Sequence, residues 1–292
     1  MKPDAFPSWL RCSNGPRRPL VMGVLNVTPD SFSDGGRYAD PTIAIATAAQ
    51  MVTDGADLID IGGESTRPGS QPVPAAEQIR RVTPVIAGIM AAGLPVTLSI
   101  DTTRAEVGQA ALDAGATVLN DISAGLDDPQ MLHLAAKRRV PIVLMHMKGT
   151  PADMQASPSY SDVVAEVSQF LLARATAAIH AGVPVEHVLL DPGIGFGKTM
   201  THNLQLLAAL PRLAALGHPL LVGTSRKKFI GTLTGDDHPA DRVFGTAASV
   251  GWAIANGAAV VRVHDVGAMV KVVRVVRAIL DPAQADQIVD NR

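Results

Sequence analysis

Eight short apolar runs, separated by longer helical patterns, constrain the fold of this chain more than any other feature of its sequence. The runs are rich in Val, Ile and Leu, which favour strands, and the segments between them repeat apolar residues at helical spacing. The predicted strands are Leu20–Leu25, Leu58–Ile61, Val96–Ile100, Thr117–Leu119, Pro141–Met145, His187–Leu190, Pro219–Val222 and Ala258–Val263. Strands that alternate with helices in this way predict a single (β/α)8 TIM barrel, although periodicity alone leaves a doubly wound open sheet as a competing interpretation.

The chain has the length of one ordinary barrel, and we find no linker, repeat or low-complexity segment that would divide it. Its 292 residues, 47% of them apolar, can form one large core. We predict an N-terminal extension at residues 1–18, a barrel at 19–282 and a C-terminal tail at 283–292. The N-terminal extension shows no evident periodicity.

Charge, cysteine content and hydropathy argue against several classes of function. The net charge of −2 gives no basic field for a nucleic acid. Two long uncharged stretches, Val82–Ile100 and Val243–Val261, are broken by proline or diluted by glycine and polar residues, so neither predicts a membrane-spanning helix. Cys12 is the only cysteine and Met1–Leu20 has no apolar signal core, which predicts a cytoplasmic protein without disulfides.

Polar residues follow almost every predicted strand. They are Asn26, Glu64, Asp101, Asn120, His146, Asp191, Ser225 and His264. Barrel active sites are built from the carboxyl ends of strands and the loops that follow them. One polar residue at such a place carries little information, but eight at the same rim predict a site.

A glycine-rich segment, Asp191–Lys198, follows the sixth predicted strand. It is not a phosphate-binding P-loop, because Pro192 stands where the first glycine is required, and Lys198 replaces the third glycine of a dinucleotide-binding motif. An ordinary tight connection remains a possible interpretation. Asp191 and Phe196 favour a binding role, since they place an acceptor beside a flat apolar surface. Segments Asn26–Gly36 and Gly62–Gly69 are rich in Gly, Ser, Thr and Pro, which predicts either long connections or a lid that closes on an anion.

These segments resemble the signature sequences of bacterial dihydropteroate synthases. The resemblance rests first on Met22–Gly36 (MGVLNVTPDSFSDGG) and Asp60–Gly69 (DIGGESTRPG). It continues in order through Ser99–Thr102, Leu119–Ser123, Leu144–Met147, Asp191–Lys198, Ser225–Lys227 and Arg262–Asp265. It covers roughly Pro19 to Leu280, with no departure at a functional position.

The resemblance implies a homodimeric TIM barrel that joins 6-hydroxymethyl-7,8-dihydropterin diphosphate to p-aminobenzoate and releases diphosphate. Pterin N–H groups need acceptors in an apolar slot, and a wrong ring would leave those acceptors unpaired. The pterin-binding residues it implies are Asp101, Asn120, Ile122, Met145, Asp191, Phe196 and Lys227. A buried ion pair between Asp191 and Lys227, or plain core packing of the apolar residues, would be the structural alternative.

The resemblance also implies an anion site and a metal ion. Asn26, Thr66, Arg262 and His264 would bind the diphosphate, and Asn26 would be a ligand of Mg²⁺. The p-aminobenzoate would contact Phe32, Arg67, Pro68, Phe196 and Ser225. The residues that it implies for catalysis are Asn26, Thr66, Arg67, Lys227, Arg262 and His264.

Three other functions remain in view. A methyltetrahydrofolate-binding methyltransferase would share the pterin-binding barrel, but it would not need Thr66, Arg67, Lys227 and the Arg262–His264 pair together. A non-catalytic pterin-binding protein would be expected to lack part of a loop or the metal ligand. A sulfonamide-evading synthase would differ near Phe32 and Thr66–Pro68, which look like the drug-sensitive pattern. We therefore expect inhibition by sulfonamides.

Overall fold

The computed structural model describes residues 1, 5–11, 18–28, 41–65 and 69–286. Within them, eight parallel strands pair in chain order and close into a barrel, since β1 pairs with both β2 and β8. The strands are β1 Leu20–Asn26, β2 Leu58–Gly62, β3 Thr97–Asp101, β4 Val118–Asp121, β5 Ile142–Met145, β6 Val188–Asp191, β7 Leu220–Val222 and β8 Ala258–Val263. The closure confirms the TIM barrel and excludes the open sheet.

Except for the first, which precedes β1, the helices follow the strands and pack around the barrel. They are α1 Ala5–Arg11, α2 Pro41–Thr53, α3 Ala75–Ala91, α4 Ala105–Ala114, α5 Gln130–Arg138, α6 Val163–His180, α7 Met200–Ala208, α8 Leu210–Ala214, α9 Lys228–Thr234, α10 Val243–Ala255 and α11 Val266–Leu280. Short 3-10 helices lie at Val185–His187, Pro239–Arg242 and Pro282–Gln284. Across the described part of the chain, no helix combines the length and the apolar character that a membrane crossing requires.

The strands extend further than the apolar runs that predict them. Asn26, Gly62 and Asp101 belong to their strands because their backbones still pair: Asn26 lies opposite Gly62, and Gly62 lies opposite Asp101. The same holds for Asp191, which pairs with Met145. Hydropathy ends a strand at its last apolar side chain, whereas the hydrogen-bonded ladder continues to the first residue whose backbone turns away.

Alternation along each strand separates the barrel interior from the layer of helices. Leu58 belongs to an inner cluster with Met22, Val118, Val143, Leu189, Leu221 and Val260, whereas Ile59 and Ile61 belong to the cluster packed under the helices. Since side chains alternate along a strand, Asp60 and Gly62 point inward like Leu58. The interior is therefore apolar near the amino ends of the strands and polar near their carboxyl ends.

Helix α1 packs against the amino-terminal floor of the barrel. Phe6 and Leu10 are each 1% exposed and belong, with Trp9, to the same cluster as the inward-facing strand residues. The Phe6 and Trp9 rings stack, and Trp9 Nε1 donates to the Arg18 carbonyl at 3.0 Å. The predicted extension thus contains a helix whose apolar residues follow i, i+3, i+4 spacing, a signal too short to stand out in the sequence.

Candidate active site

The predicted polar strand ends meet at the carboxyl-terminal mouth of the barrel. Register places Asn26, Gly62, Asp101 and Asn120 at successive positions around the rim of β1 to β4. Met145 and Asp191 pair with each other one inward-facing position further along β5 and β6, since Asn120 lies opposite Val143, and Arg262 lies inward on β8. Seven strands thus contribute inward-facing residues to one chamber, whose mouth widens at Gly62 because glycine has no side chain.

Arg262 is held by two carboxylates from neighbouring strands. Its Nε donates to Asp60 Oδ2 at 2.7 Å, and its Nη2 donates to Asp101 Oδ2 at 2.8 Å. Asn120 Nδ2 donates to the same Asp60 oxygen at 2.8 Å. Burial raises the pKa of Asp101 to about 7, the charge of Arg262 opposes this rise, and that of Asp60 adds to it. Opposite charges are thus concentrated deep in the mouth.

Asp191 and Lys227 face the same chamber without forming an ion pair with each other. Asp191 Oδ1 accepts a 2.7 Å hydrogen bond from the Gly193 backbone, and burial raises its pKa to about 6. Burial lowers the pKa of Lys227 to about 8, and the charge of Arg262 lowers it further. Lys227 Nζ lies 4.1 Å from the centre of the Phe196 ring. The alternative of a buried Asp191–Lys227 pair is thus not what the structure shows, and both groups remain available to a ligand.

The glycine-rich loop after β6 lies directly against the end of β5. A Cβ added to Gly193 would lie 1.9 Å from the His146 carbonyl oxygen, and one added to Gly197 would lie 2.1 Å from that of Lys148. Both glycines also have positive φ values, 65° and 60°. A side chain at either position would push the loop off the neighbouring strand, so glycine is required for this close approach.

Lys198 links that loop to the end of β5 through hydrogen bonds of its ammonium group. Its Nζ, on a side chain that is almost fully buried, donates to the Phe196 carbonyl at 2.9 Å and to the His146 carbonyl at 3.2 Å, and lies 3.0 Å from His146 Nδ1. Burial lowers the pKa of Lys198 to about 7. Burial, reinforced by the charge of Lys198, lowers the pKa of His146 to about 3. His146 therefore receives a hydrogen bond as a neutral ring.

Ser225 and His264 contact each other on the far side of the mouth. Ser225 Oγ accepts from the His264 backbone and lies 3.1 Å from His264 Nδ1. Burial lowers the pKa of His264 to about 3, and the charges of Arg262 and Arg226 act in the same direction. Arg226 has a φ of 60°. Its Nε and Nη2 donate hydrogen bonds to the two carboxylate oxygens of Asp265, at 3.0 and 2.5 Å. This strained residue fixes Ser225 and Lys227 on either side of it.

The remaining described residues implied by the resemblance also lie around this chamber. Ile122 and Met145 are buried, with exposures of 6% and 3%, and Phe196 is partly buried. A Cβ added to Gly62 would lie 3.5 Å from the side-chain oxygen of Asn26. Phe32, Thr66, Arg67 and Pro68 lie outside the described residues.

The described part of the mouth offers one oxygen donor that could serve a metal ion. Among the described residues, no group of three His, Cys, Asp or Glu side chains could hold one. The Asn26 amide oxygen is a hard donor at the rim, suited to an ion that takes most of its ligands from water and phosphate. The residues at the rim therefore fit Mg²⁺ that is carried by a diphosphate.

Two residues of this network are absent from the set implied by sequence. Asp60 is a charged residue inside an otherwise apolar strand run, and Lys198 is a cation inside a glycine-rich turn. Each breaks the pattern around it, and such breaks are the signal that can identify buried functional groups before a structure is known.

Comparison with known proteins gives consistent results. A family model described as pterin binding enzyme matches residues 22–264. A dihydropteroate synthase of Synechocystis sp. is 49% identical over 263 residues, which cover 90% of this chain and 91% of that protein.

Solved structures agree in fold as well as in sequence. A dihydropteroate synthase of Xanthomonas albilineans with 4-aminobenzoic acid superposes with a TM-score of 0.85 at 50% identity, covering 90% of this chain and 94% of that one. The Yersinia pestis dihydropteroate synthase in a sulfonamide drug complex also has a TM-score of 0.85, at 45% identity and with the same two coverages.

Proposed function

The chain belongs to the dihydropteroate synthases among the pterin-binding enzymes, and on that premise we propose how its own residues carry out the reaction. These transferases make dihydropteroate. The chain joins 6-hydroxymethyl-7,8-dihydropterin diphosphate to p-aminobenzoate and releases diphosphate.

The observation that supports our assignment of roles best is the convergence of acceptors and cations in one chamber. Asp101, Asn120 and Asp191 offer oxygen acceptors from three different strands, and Lys227 offers a donor. A pterin ring has amine and ring N–H groups along one edge and acceptors beside them, which this array complements. Met145, Ile122 and Phe196 provide apolar surface for the faces of the ring.

The diphosphate end of the substrate lies, in this proposal, against Arg262 and His264. Among the described residues, two carboxylates use only Nε of Arg262 and one bond from Nη2, which leaves other guanidinium N–H groups for the diphosphate. His264 is neutral in the free protein, since burial holds its pKa near 3. It therefore donates a hydrogen bond rather than supplying a full charge until a phosphate arrives.

Bond cleavage precedes bond formation in the mechanism that we propose. The bond from the exocyclic carbon to the diphosphate oxygen breaks, and its electron pair leaves with the diphosphate while the electron-rich pterin supports the positive charge. The neutral aniline nitrogen then forms the new C–N bond and loses one proton to solvent or to the departing diphosphate. Arg262 favours the first step by stabilising negative charge on the leaving group, and the chamber orients the two reactants.

Mg²⁺ supplies charge neutralisation for the diphosphate when it is bound. We propose that Asn26 is its protein ligand, through the amide oxygen at the rim. An Asn26→Ala variant should lose Mg²⁺-dependent affinity for diphosphate and keep its affinity for free 6-hydroxymethylpterin. Calorimetry with each ligand measures both, and equal losses would indicate that Asn26 acts on folding or on the pterin.

The reaction itself is tested by diphosphate release from a mixture of protein, Mg²⁺, dihydropterin diphosphate and p-aminobenzoate. A matched pair of variants tests the site. Lys227→Met removes the ammonium group that faces Phe196, so we expect turnover to fall by two orders of magnitude or more. Lys228→Met changes the adjacent, exposed lysine and should keep turnover near the wild-type rate. Similar rates in the two variants would remove Lys227 from the site.

We also propose that sulfonamides inhibit the chain by taking the place of p-aminobenzoate, near Phe32, Arg67, Pro68, Phe196 and Ser225. Inhibition should be competitive with p-aminobenzoate. The rate of diphosphate release at several concentrations of both compounds tests this, and inhibition that p-aminobenzoate cannot relieve would contradict it.

The chain is, we propose, a cytoplasmic homodimer. Helices α10 and α11 pack side by side and leave large apolar side chains in solvent, with Phe244, Val275 and Ile279 exposed by 86%, 60% and 70%. Large apolar side chains exposed on one pair of packed helices are typical of subunit interfaces. Sedimentation equilibrium of the wild type and of an Ile279→Glu variant tests the dimer.

A further inference from the structure

Asp60 lies one layer below the mouth of the barrel, where it contacts two residues of the site. Its side chain is fully buried, two positions before Gly62 on β2. One oxygen, Oδ2, accepts from both Arg262 Nε and Asn120 Nδ2, at 2.7 and 2.8 Å. Resting on the function proposed above, we infer that Asp60 is a positioning residue: it sets how Arg262 and Asn120 face the substrate.

The effect on Asn120 is to fix which end of its amide points into the chamber. A carboxylate only accepts hydrogen bonds, so Asn120 must turn its NH₂ toward Asp60. Its oxygen is then presented to the substrate, where pterin N–H groups require an acceptor. Without Asp60 the amide is free to rotate by half a turn, which would place a donor against a donor. The selectivity of Asn120 for a pterin edge is thus set by a neighbour that the pterin does not touch.

The effect on Arg262 is to fix the plane of its guanidinium. Asp60 on β2 and Asp101 on β3 hold two different nitrogens, and the strands that carry them are paired. A planar group held at two points cannot swing, so its remaining N–H groups keep one direction. Donors that are already oriented stabilise a developing negative charge without first having to reorganise. Asp60 therefore contributes to the step in which the diphosphate leaves.

Stability alone does not explain a carboxylate at this position. The second oxygen of Asp60, Oδ1, is buried without a hydrogen-bond partner among the described residues, and so is the hydroxyl of Ser99, its register neighbour on β3. A buried charge that is only partly satisfied lowers the free energy of unfolding relative to a well-packed apolar side chain. The inner layer just below is made of such side chains, among them Leu58 and Val118.

The first experiment compares steady-state kinetics of Asp60→Asn with those of Asp57→Asn. Asp57 is a matched control, because it is also buried and bonded to an arginine, Arg18, but lies at the opposite end of β2. For Asp60→Asn we expect kcat to fall at least tenfold while the KM for dihydropterin diphosphate stays within threefold of wild type. The reason is that Arg262 keeps its charge, but a neutral amide oxygen holds its Nε less firmly than a carboxylate does, so the guanidinium is less well oriented. Asp57→Asn should lose thermal stability and keep kcat.

The second experiment measures binding of free 6-hydroxymethylpterin by calorimetry. Asp60→Asn should bind it within threefold of wild type, because an amide oxygen can still accept from Asn120. Asp60→Leu removes that acceptor and should weaken binding at least tenfold. In an Asn120→Ala background, Asp60→Leu should weaken pterin binding no further.

These outcomes separate the positioning role from a structural one. An Asp60→Asn variant with wild-type kcat, or an equal loss of kcat in Asp57→Asn, would overturn the inference. So would a full further loss of pterin affinity in the Asn120→Ala background. Because wild-type protein must first release diphosphate in the same assay, failure of this inference is distinguishable from failure of the proposed function.

Discussion

The carboxylate of Asp191 links binding to stability through its ionisation. Burial raises its folded-state pKa to about 6, above the ordinary value of 3.8. A raised pKa means that this group contributes stability that is fully present below pH 3.8 and is lost as the pH rises through about 6. The ionised form, which we propose accepts hydrogen bonds from a pterin, is therefore the form that folding disfavours.

Replacing Asp191 with Asn should consequently separate the two properties. At pH 8 we expect Asp191→Asn to be more stable than wild type, on the order of 2 kcal/mol, with the gap closing as the pH falls toward 4. Its pterin affinity should fall by about 2–3 kcal/mol, because a donor replaces one acceptor position. Urea unfolding across this pH range and calorimetry at pH 8 measure both. A stability difference that is constant with pH, or an unchanged pterin affinity, would contradict this account.

At the residue scale, the rim of the site was predictable and the layer beneath it was not. Asp101, Asn120 and Asp191 stand at the ends of apolar runs, so hydropathy marks them. Asp60 is flanked by Ile59 and Ile61, so its charge breaks an apolar run, but that break does not reveal which residues Asp60 contacts. Its importance depends on the closure of the barrel, which brings it to Arg262 from a point 202 residues away in the sequence. The spacing of residues along the chain does not predict the contact between Asp60 and Arg262.

At the scale of elements, the loop between β6 and α7 is held against the barrel as firmly as a neighbouring strand would be. Lys198 ties it to the end of β5 through buried acceptors, so removal of the ammonium leaves carbonyl groups without partners. Lys198→Met should lower the free energy of unfolding by about 1–3 kcal/mol and weaken pterin binding, because Phe196 lies on this loop. Lys148→Met is the control, since that lysine is 48% exposed and its ion pair should contribute little. Chemical denaturation and pterin titration of both variants test this, and equal effects would show that the loop does not depend on Lys198.

The elements themselves were largely predictable, and the exceptions have physical causes. All eight strands appear where apolar runs predict them, and five of them end one or two residues closer to the polar rim than predicted. Helix α1 was missed because seven residues are too few to show a period, and because its helical state depends on packing against the barrel floor.

At the scale of the whole molecule, the carboxyl-terminal end of the barrel carries the site, and the amino-terminal end contributes to stability. Phe6 and Leu10 lie at the floor, far from the carboxyl ends of the strands. Phe6→Ala should lower the free energy of unfolding by about 3–5 kcal/mol through the cavity that it leaves, and keep kcat at temperatures where the protein stays folded. Ser8→Ala, on the exposed side of the same helix, should change little. Thermal unfolding and turnover of both variants measure this, and a fall in kcat for folded Phe6→Ala would show that the floor influences the mouth.

The bond between Asp60 and Arg262 also has a consequence for how the protein is made. It joins the second strand to the last, so the ribosome must finish about nine-tenths of the 292 residues before the two partners coexist. Until β8 emerges, β1 and β7 expose unpaired edges, and the growing chain is open to association with its neighbours. During that interval no pterin or drug can stabilise the chain, because the charged centre that would receive it does not yet exist. Small molecules that protect the finished enzyme therefore cannot protect its nascent form.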